Sequence, residues 1–359
     1  MLFRSCVILI DNFIVKLKHQ NIVSAAQFDK RTMETLFRRA LKMEKVVEAQ
    51  RNGGKSGRKG GGFLKLMDGK ILATLFYEPS TRTRMSFESA FLRLGGKVVS
   101  GADMAGASSS RKGESLYDTG RVVSEFADLI VMRHPEVGST AEVARGAKDA
   151  GEASGTGRRL KHVVPVINAG DGIGDHPTQA LLDVYTMWKE FKGKLDGLVI
   201  GMVGDLKNGR VPHSQCELLK HWNVEFVFVL PRALAMPWNV KDDLTAASRK
   251  FLEMEDLGAV IGGMDVICAT RIQAERFKTQ KEYLKYKGVY VIDGEMMKKA
   301  KKSALLLHPL PRVDEITVDV DRDPRAKYFE QVRNGLCLRM ALMAGSKVRL
   351  LIVLVRGFI

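Results

Sequence analysis

The chain has 359 residues, 45% hydrophobic and 27% charged. That is material for about two packed domains and too apolar for a disordered protein. Lys and Arg number 57 against 41 Asp and Glu, a net charge of +16, which favours anionic partners without separating nucleic acid from a phosphorylated metabolite. Half of that excess, +8, lies in residues 1–62, so the main body is only mildly basic. Cys6, Cys216, Cys268 and Cys337 are far apart, with no CxxC and no His-x-Cys ligand spacing. They read as buried free thiols of a reducing compartment, with no metal site. The apolar stretches 6–15 and 350–359 fall short of the roughly 20 residues a membrane span needs. No small-residue cleavage site follows the N-terminus. A soluble, cytoplasmic protein is expected, with organellar targeting not excluded and no membrane partner.

In chain order, residues 29–49 show apolar positions Met33, Leu36, Phe37, Ala40 and Val47 at helical spacing, with Asp29 as N-cap. The Gly/Lys-rich run 51–62 reads as a linker. Short apolar runs then alternate with helical patterns, at 71–77, 97–101, 129–133, 164–169, 198–205, 225–230, 265–270, 290–293 and 304–310. Runs of four to eight residues rich in Val, Ile and Leu suit strands buried on both faces. Strands alternating with helices predict a doubly wound α/β architecture, and nine strands suit two parallel sheets better than one. Residues 146–161 read as a surface insertion and 175–188 as a helix crossing between domains. The β-branched run 349–359 is expected to dock on the core.

Unusual polar residues cluster just past the predicted strand ends, where open α/β sheets bind ligands. Glu78-Pro-Ser-Thr-Arg-Thr-Arg84 follows the first strand and leads into a helical run. Two arginines in a first helical turn oppose the helix dipole, and an anion there offsets the cost. Free N–H groups, hydroxyls and guanidinium forks together form a phosphate cradle, although no Walker loop is present. Arg133-His134, His176-Pro-Thr-Gln179, Arg210, Arg271-Ile-Gln273 and His308-Pro-Leu-Pro-Arg312 follow further strands. The set describes a site for a small, multiply anionic substrate. No RRM, KH, helix-turn-helix or finger pattern appears and aromatics are only 7%, which argues against a nucleic-acid partner.

These residues resemble the signature motifs of the aspartate carbamoyltransferase family, within the aspartate/ornithine carbamoyltransferase superfamily. STRTR at 80–84, HPTQ at 176–179 and HPLPRVDE at 308–315 carry the likeness. SSRKGES at 109–115, VMRHP at 131–135, GDLKNGRVPHS at 204–214 and TRIQAER at 270–276 support it, in order over about residues 64–345. Ornithine carbamoyltransferases typically have a Cys-containing HCLP motif where this chain has HPLPR, and Arg210, Arg271 and the lysine loop at Lys112 suit a dicarboxylate acceptor. Transfer to another amino acid such as ornithine is the alternative.

The resemblance implies two doubly wound domains with the active site between them. Residues 1–180, completed by 330–359, form a carbamoyl phosphate domain, and 181–329 an aspartate domain. It implies carbamoyl transfer to L-aspartate, the committed step of pyrimidine synthesis, with no cofactor. Ser80, Thr81, Arg82 and Thr83 then grip the phosphate. Arg133, His176 and Thr83 hold the carbonyl oxygen, and Gln179 with the carbonyls of Leu310 and Pro311 holds the carbamoyl amino group. Arg210, Arg271 and Gln273 clamp aspartate. A neighbouring subunit of a homotrimer with shared sites donates Ser108 and Lys112, the latter also toward aspartate. Glu78 pairs with Arg210 and Arg276 when the domains close. A regulatory chain is left open.

Overall fold

The computed structural model describes residues 21–51, 64–106, 112–152 and 163–347. Helix α1 (Lys30–Arg51) opens the described chain. Strands β1 (Ile71–Phe76), β2 (Lys97–Gly101), β3 (Leu129–His134) and β4 (Val166–Asp171) then form a parallel sheet in the order β2-β1-β3-β4. Its crossovers carry α2 (Thr81–Arg93), α3 (Leu116–Ser124) and α4 (Ser139–Glu152), and α5 (Pro177–Glu190) leads out of it. The second parallel sheet comprises β5 (Val199–Val203), β6 (Glu225–Val229), β7 (Lys250–Met254), β8 (Val266–Ala269) and β9 (Leu305–Leu307), in the order β7-β6-β5-β8-β9. Helices α6 (Arg210–Leu219), α7 (Trp238–Ala246), α8 (Leu257–Val260), α9 (Gln280–Leu284) and α10 (Gly294–Lys299) accompany it, and α11 (Tyr328–Lys347) closes the described chain. Strand order reverses between β1 and β3 in one sheet and between β5 and β8 in the other, and open sheets bind ligands beyond such switch points.

The sequence dictates these elements by burial. Five of the six residues of β1 and all six of β4 are buried, so each needs an apolar run rather than alternation. In α1, Met33, Leu36, Phe37, Ala40 and Val47 face inward, and Asp29 Oδ1 accepts the N–H of Thr32 at 2.7 Å. The Phe37 ring lies 5.5 Å from that of Tyr185 and 5.7 Å from that of Trp188 on α5. Helix α11 has no polar face: Leu336–Leu338 and Met340–Met343 are buried in the core cluster that also holds Phe37, Phe87 and Tyr185. The last described helix thus returns to the layer formed by α1, α2 and α5. Among the described residues no helix is long and apolar enough to cross a membrane.

Two expectations need correction. Residues 290–293 form no strand: only a single bridge joins Ile292 to Ile316, because four residues beside α10 find no neighbouring strand. The ninth strand is β7 instead, an edge strand whose residues are mostly exposed, so the apolar-run signal for a doubly buried strand is absent. Residues 146–152, read as part of an insertion, are the last two turns of α4. There α3 and α4 cross at van der Waals distance through glycines: a Cβ on Gly146 lies 2.0 Å from Tyr117 O, and one on Gly120 lies 2.3 Å from Val143 O. The runs 51–62 (beyond Arg51), 153–162 and 348–359 lie outside the described residues.

Backbone oxygens cannot yield as flexible side chains do. Gly146→Ala should therefore destabilise the protein by about 1–3 kcal/mol, the ordinary cost of overpacking. A urea midpoint equal to that of the wild type would contradict this helix–helix contact.

Candidate active site

Three helices begin at one cavity of about 490 Å³ between the two sheets. Ser80 is the N-cap of α2, His176 that of α5 and Gly209 that of α6, and none makes a side-chain capping hydrogen bond. None of the three has an acidic residue in its first turn. Each N-terminus leaves backbone N–H groups unpaired and carries a partial positive charge. Sequence sets these starts: Pro177 occupies the first position of α5, where the missing N–H costs nothing, and Gly209 allows the turn out of β5.

Onto the same space converge Arg82, Arg133, Arg210, Arg271, Arg276 and Arg339, against a single carboxylate, Glu78. Glu78 Oε2 lies 3.2 Å from Arg133 Nε and 3.8 Å from Arg210 Nη2, so one anion joins guanidinium groups from both sheets. The Arg210 guanidinium also donates to the carbonyl of Gly172. Both guanidinium groups pack on Gly170, which has φ +118°; a Cβ there would stand 3.2 Å from Arg210 Cζ and 3.4 Å from Arg133 Nη1. Burial first, and then the Arg133 charge, push the Arg210 guanidinium down to about 10. The same two causes lower Arg82. His176, 4% exposed, is held well below the usual imidazole range by burial and by the charges of Arg210, Arg133 and Arg339. It is a neutral ring at pH 7. Its Nδ1 is buried without a hydrogen-bond partner, and the residue lines the cavity.

The structure brings most of the expected residues together. Ser80, Thr81, Arg82, Thr83, Arg133, His176, Gln179, Arg210, Arg271, Gln273, Leu310 and Pro311 all line this cavity, as do Glu78 and Arg276. Among the described residues Glu78 has its ion pairs with Arg133 and Arg210, and none with Arg276. Lys112 is exposed on a turn and does not line the cavity, and Ser108 lies outside the described residues.

Sequence reasoning missed Ser86, Gln331 and Arg339, which line the same space, and Asp183 behind it. Arg339 is 4% exposed, donates to Ser86 Oγ at 2.9 Å and sits 4.9 Å from the Phe87 ring centre. A signal existed: Gln331, Asn334 and Arg339 stand among the apolar core residues of α11 and are themselves buried, and a buried polar side chain needs a specific partner. Among the described residues no group of three or more His, Cys, Asp or Glu is placed to hold a metal ion.

A cleft of this charge, at the strand ends of two parallel sheets, defines an α/β protein that binds a compact polyanion. The family model for the carbamoyl-P binding domain of aspartate/ornithine carbamoyltransferases matches residues 20–189, and that for the Asp/Orn binding domain matches 196–345. The chain belongs to the aspartate/ornithine carbamoyltransferase family. The aspartate carbamoyltransferase catalytic subunit of Thermococcus kodakarensis is 45% identical over 326 residues, 91% of this chain and 96% of its own length. The catalytic subunit of M. jannaschii aspartate transcarbamoylase is a structural neighbour at TM-score 0.77 and 43% identity, covering 91% of this chain and 97% of its own. Trypanosoma cruzi aspartate transcarbamoylase in complex with carbamoyl aspartate and phosphate matches at TM-score 0.78 and 36% identity, over 90% of this chain and 95% of its own.

The imidazole assignment has a stability consequence. The unfolded His176 titrates near 6.5, whereas the folded one does so well below. Between those values only the unfolded chain binds the extra proton, so the stability from burying a neutral ring is complete above 6.5 and lost as pH falls. On going from pH 7.5 to 5.5, wild type should therefore lose more Tm than His176→Gln. Equal losses in the two proteins would mean that His176 is not held neutral.

Proposed function

We propose that the chain is an aspartate carbamoyltransferase, transferring the carbamoyl group of carbamoyl phosphate to the amine of L-aspartate. The observation that carries this reading is the convergence of three uncapped helix N-termini and six arginines on one cavity with one carboxylate. Two anionic substrates, an acyl phosphate and a dicarboxylate, supply the missing negative charge, whereas ornithine would bring a further cation into it. The likeness to aspartate carbamoyltransferases named above supports the same acceptor.

In this reading the first turn of α2, with Ser80, Thr81, Arg82 and Thr83, holds the phosphate. Arg133, Thr83 and neutral His176 hold the carbonyl oxygen. Gln179 and the carbonyls of Leu310 and Pro311 hold the amino group, and Arg210, Arg271 and Gln273 hold aspartate. The amine nitrogen bonds to the carbamoyl carbon, the carbon–oxygen bond to phosphate breaks, and a phosphate oxygen takes the proton. Catalysis is positioning and charge stabilisation. Holding both substrates together supplies about 7–11 kcal/mol, and one aimed oxyanion donor about 3–4 kcal/mol. Residues 1–180 with the C-terminal helix carry the carbamoyl phosphate half, and 181–329 the aspartate half. Glu78 keeps Arg210 registered across the cleft, with Arg276 joining on closure. The exposed position of Lys112 supports its donation, with Ser108, to a neighbouring site in a cytoplasmic homotrimer.

Purified protein given carbamoyl phosphate should release phosphate and carbamoyl aspartate with aspartate and no citrulline with ornithine; citrulline as the main product would reject the acceptor assignment. Arg82→Ala should lower kcat about 100-fold or more, as losing a transition-state donor does. Arg271→Ala should instead raise the aspartate KM about 30-fold or more, consistent with about 2–5 kcal/mol for a charged clamp, and leave carbamoyl phosphate binding within a few-fold.

Shared sites have their own test. Inactive Arg82→Ala and Lys112→Ala subunits, exchanged with each other, should regain activity, because some sites then combine two intact halves. Exchange without recovery rules out sharing.

A further inference from the structure

Asp183 sits one turn after Gln179 on α5, with 0% of its surface exposed. Its Oδ1 accepts Nε2–H bonds from Gln179 at 2.9 Å and Gln331 at 2.7 Å, and its Oδ2 accepts one from Gln215 at 2.7 Å. Three side-chain amides, from α5, α11 and α6, therefore meet one carboxyl group. Among the described residues it takes part in no ion pair, although the Arg339 charge favours its ionised form. Burial raises this carboxyl to about 7 even against the three amide bonds and the Arg339 charge, which favour the ionised form.

An ionised carboxylate only accepts hydrogen bonds, so each amide must turn its NH2 toward Asp183 and its carbonyl away. For Gln331 the destination of that carbonyl is visible. Oε1 accepts the backbone N–H of His308 at 2.8 Å. His308 Nδ1 in turn accepts the N–H of Leu310 at 2.8 Å, and Nε2 lies 2.8 Å from Glu315 Oε1. Glu315 Oε2 accepts the N–H groups of Val313 and Asp314, each at 3.1 Å. A continuous chain of bonds thus runs from Asp183 to the turn that presents the Leu310 and Pro311 carbonyls, with Leu310 held at φ +52°. Gln179 lines the cavity, and its amide, tethered through Nε2, keeps its carbonyl for that side.

We propose that Asp183 is a positioning residue that makes both jaws of the carbamoyl pocket acceptors, and so selects an acyl phosphate bearing NH2 over one bearing CH3. The proposal rests on the reading of the cavity as a carbamoyl phosphate site and names what selects within it. Acetyl phosphate is the natural contrast: it has the same phosphate and acyl oxygen, with a methyl group where carbamoyl phosphate has two N–H donors. A site built to bond a polar group discriminates strongly because its own polar atoms are otherwise left unpaired.

Asp183→Leu keeps roughly the volume but removes both acceptor oxygens. The Gln179 amide, beside the open cavity, then loses the bond that holds its NH2 away from the ligand.

The test is calorimetric binding of carbamoyl phosphate, acetyl phosphate and inorganic phosphate to wild type and variant, with aspartate omitted. Carbamoyl phosphate should bind Asp183→Leu about tenfold or more weakly, the scale of one buried hydrogen bond, with the other two ligands within about twofold. Equal weakening of all three, or none, overturns the proposal. Gln331→Leu frees the His308 backbone and should show the same selective loss; it decides the matter if Asp183→Leu does not fold, and a uniform effect or no effect again overturns it. Wild type that binds inorganic phosphate but not carbamoyl phosphate would reject the functional reading itself rather than this inference.

Discussion

Guanidinium groups crowded around one cavity repel one another, and the rest of the cleft is organised around holding them there without neutralising them. Arg133 and Arg210 stand against the same glycine, where any side chain would separate them. Glu78 bridges the two from a single oxygen and is the one lining carboxylate, so the cluster keeps a large positive excess. The N-termini of α2, α5 and α6 add to that excess instead of relieving it. Burial then acts on the weakest base present: His176 gives up its proton, which removes one cation and leaves a neutral donor in a field of fixed charges. Such a field costs folding energy in the empty protein and returns it when an anion arrives, which makes the site specific for charge before it is specific for shape.

The polar groups behind the cavity obey a different rule, and two buried carboxylates show it. Glu44, on the far side of α5, accepts from the Tyr185 hydroxyl at 2.7 Å and from Lys189 at 2.9 Å. Lys189 also reaches Asn334 on α11 at 3.2 Å. Asp183, nearer the ligand, is held by three neutral amides. A lysine at that position would neutralise Asp183, but it would also bring a strongly hydrated, mobile cation beside the phosphate cradle. Amides instead convert one buried charge into a fixed pattern of donors and acceptors. Both networks end on α11, so the last described helix is structural in its apolar residues and a framework for the site in its polar ones.

Much of the architecture was legible because a doubly buried strand leaves a plain trace, a short apolar run bounded by turns. Eight of the nine expected runs overlap an observed strand, whereas 290–293 does not and β7 went unread. The failures have one cause. Lys250 and Glu253 on β7 form ion pairs with Glu225 and Lys241, as an edge strand permits, so its sequence looks like surface. Residues 290–293 look like core and are buried at Tyr290 and Ile292, but they have no strand beside them. Hydrophobicity reports burial, and hydrogen-bonded pairing is a separate matter. The same distinction explains 146–152: glycine and charge suggested an exposed loop, whereas Gly146 is there so that α4 can touch the backbone of α3.

For the site, legibility followed distance along the chain. Residues within a few positions of a strand end could be placed together from sequence, since the fold class fixes where strand ends go, and most of those described line the cavity, whereas Arg84, His134 and Arg312 do not. Asp183 and Arg339 lie in mid-helix and Gln331 in the first turn of α11, all three away from the strand ends. What marks them is a conflict between levels: a buried charged or amide side chain must have partners, and local sequence does not name them. Asp183 is 148 residues from Gln331 and 32 from Gln215, so the three amides meet only once both sheets and the returning C-terminal helix are in place. The first-turn residues of α2 can be read as an anion cradle from one segment, but the orientation of Gln179 depends on groups from α6 and α11. Affinity for phosphate is therefore a local property of this sequence, while selection of the group attached to it is a property of the whole fold.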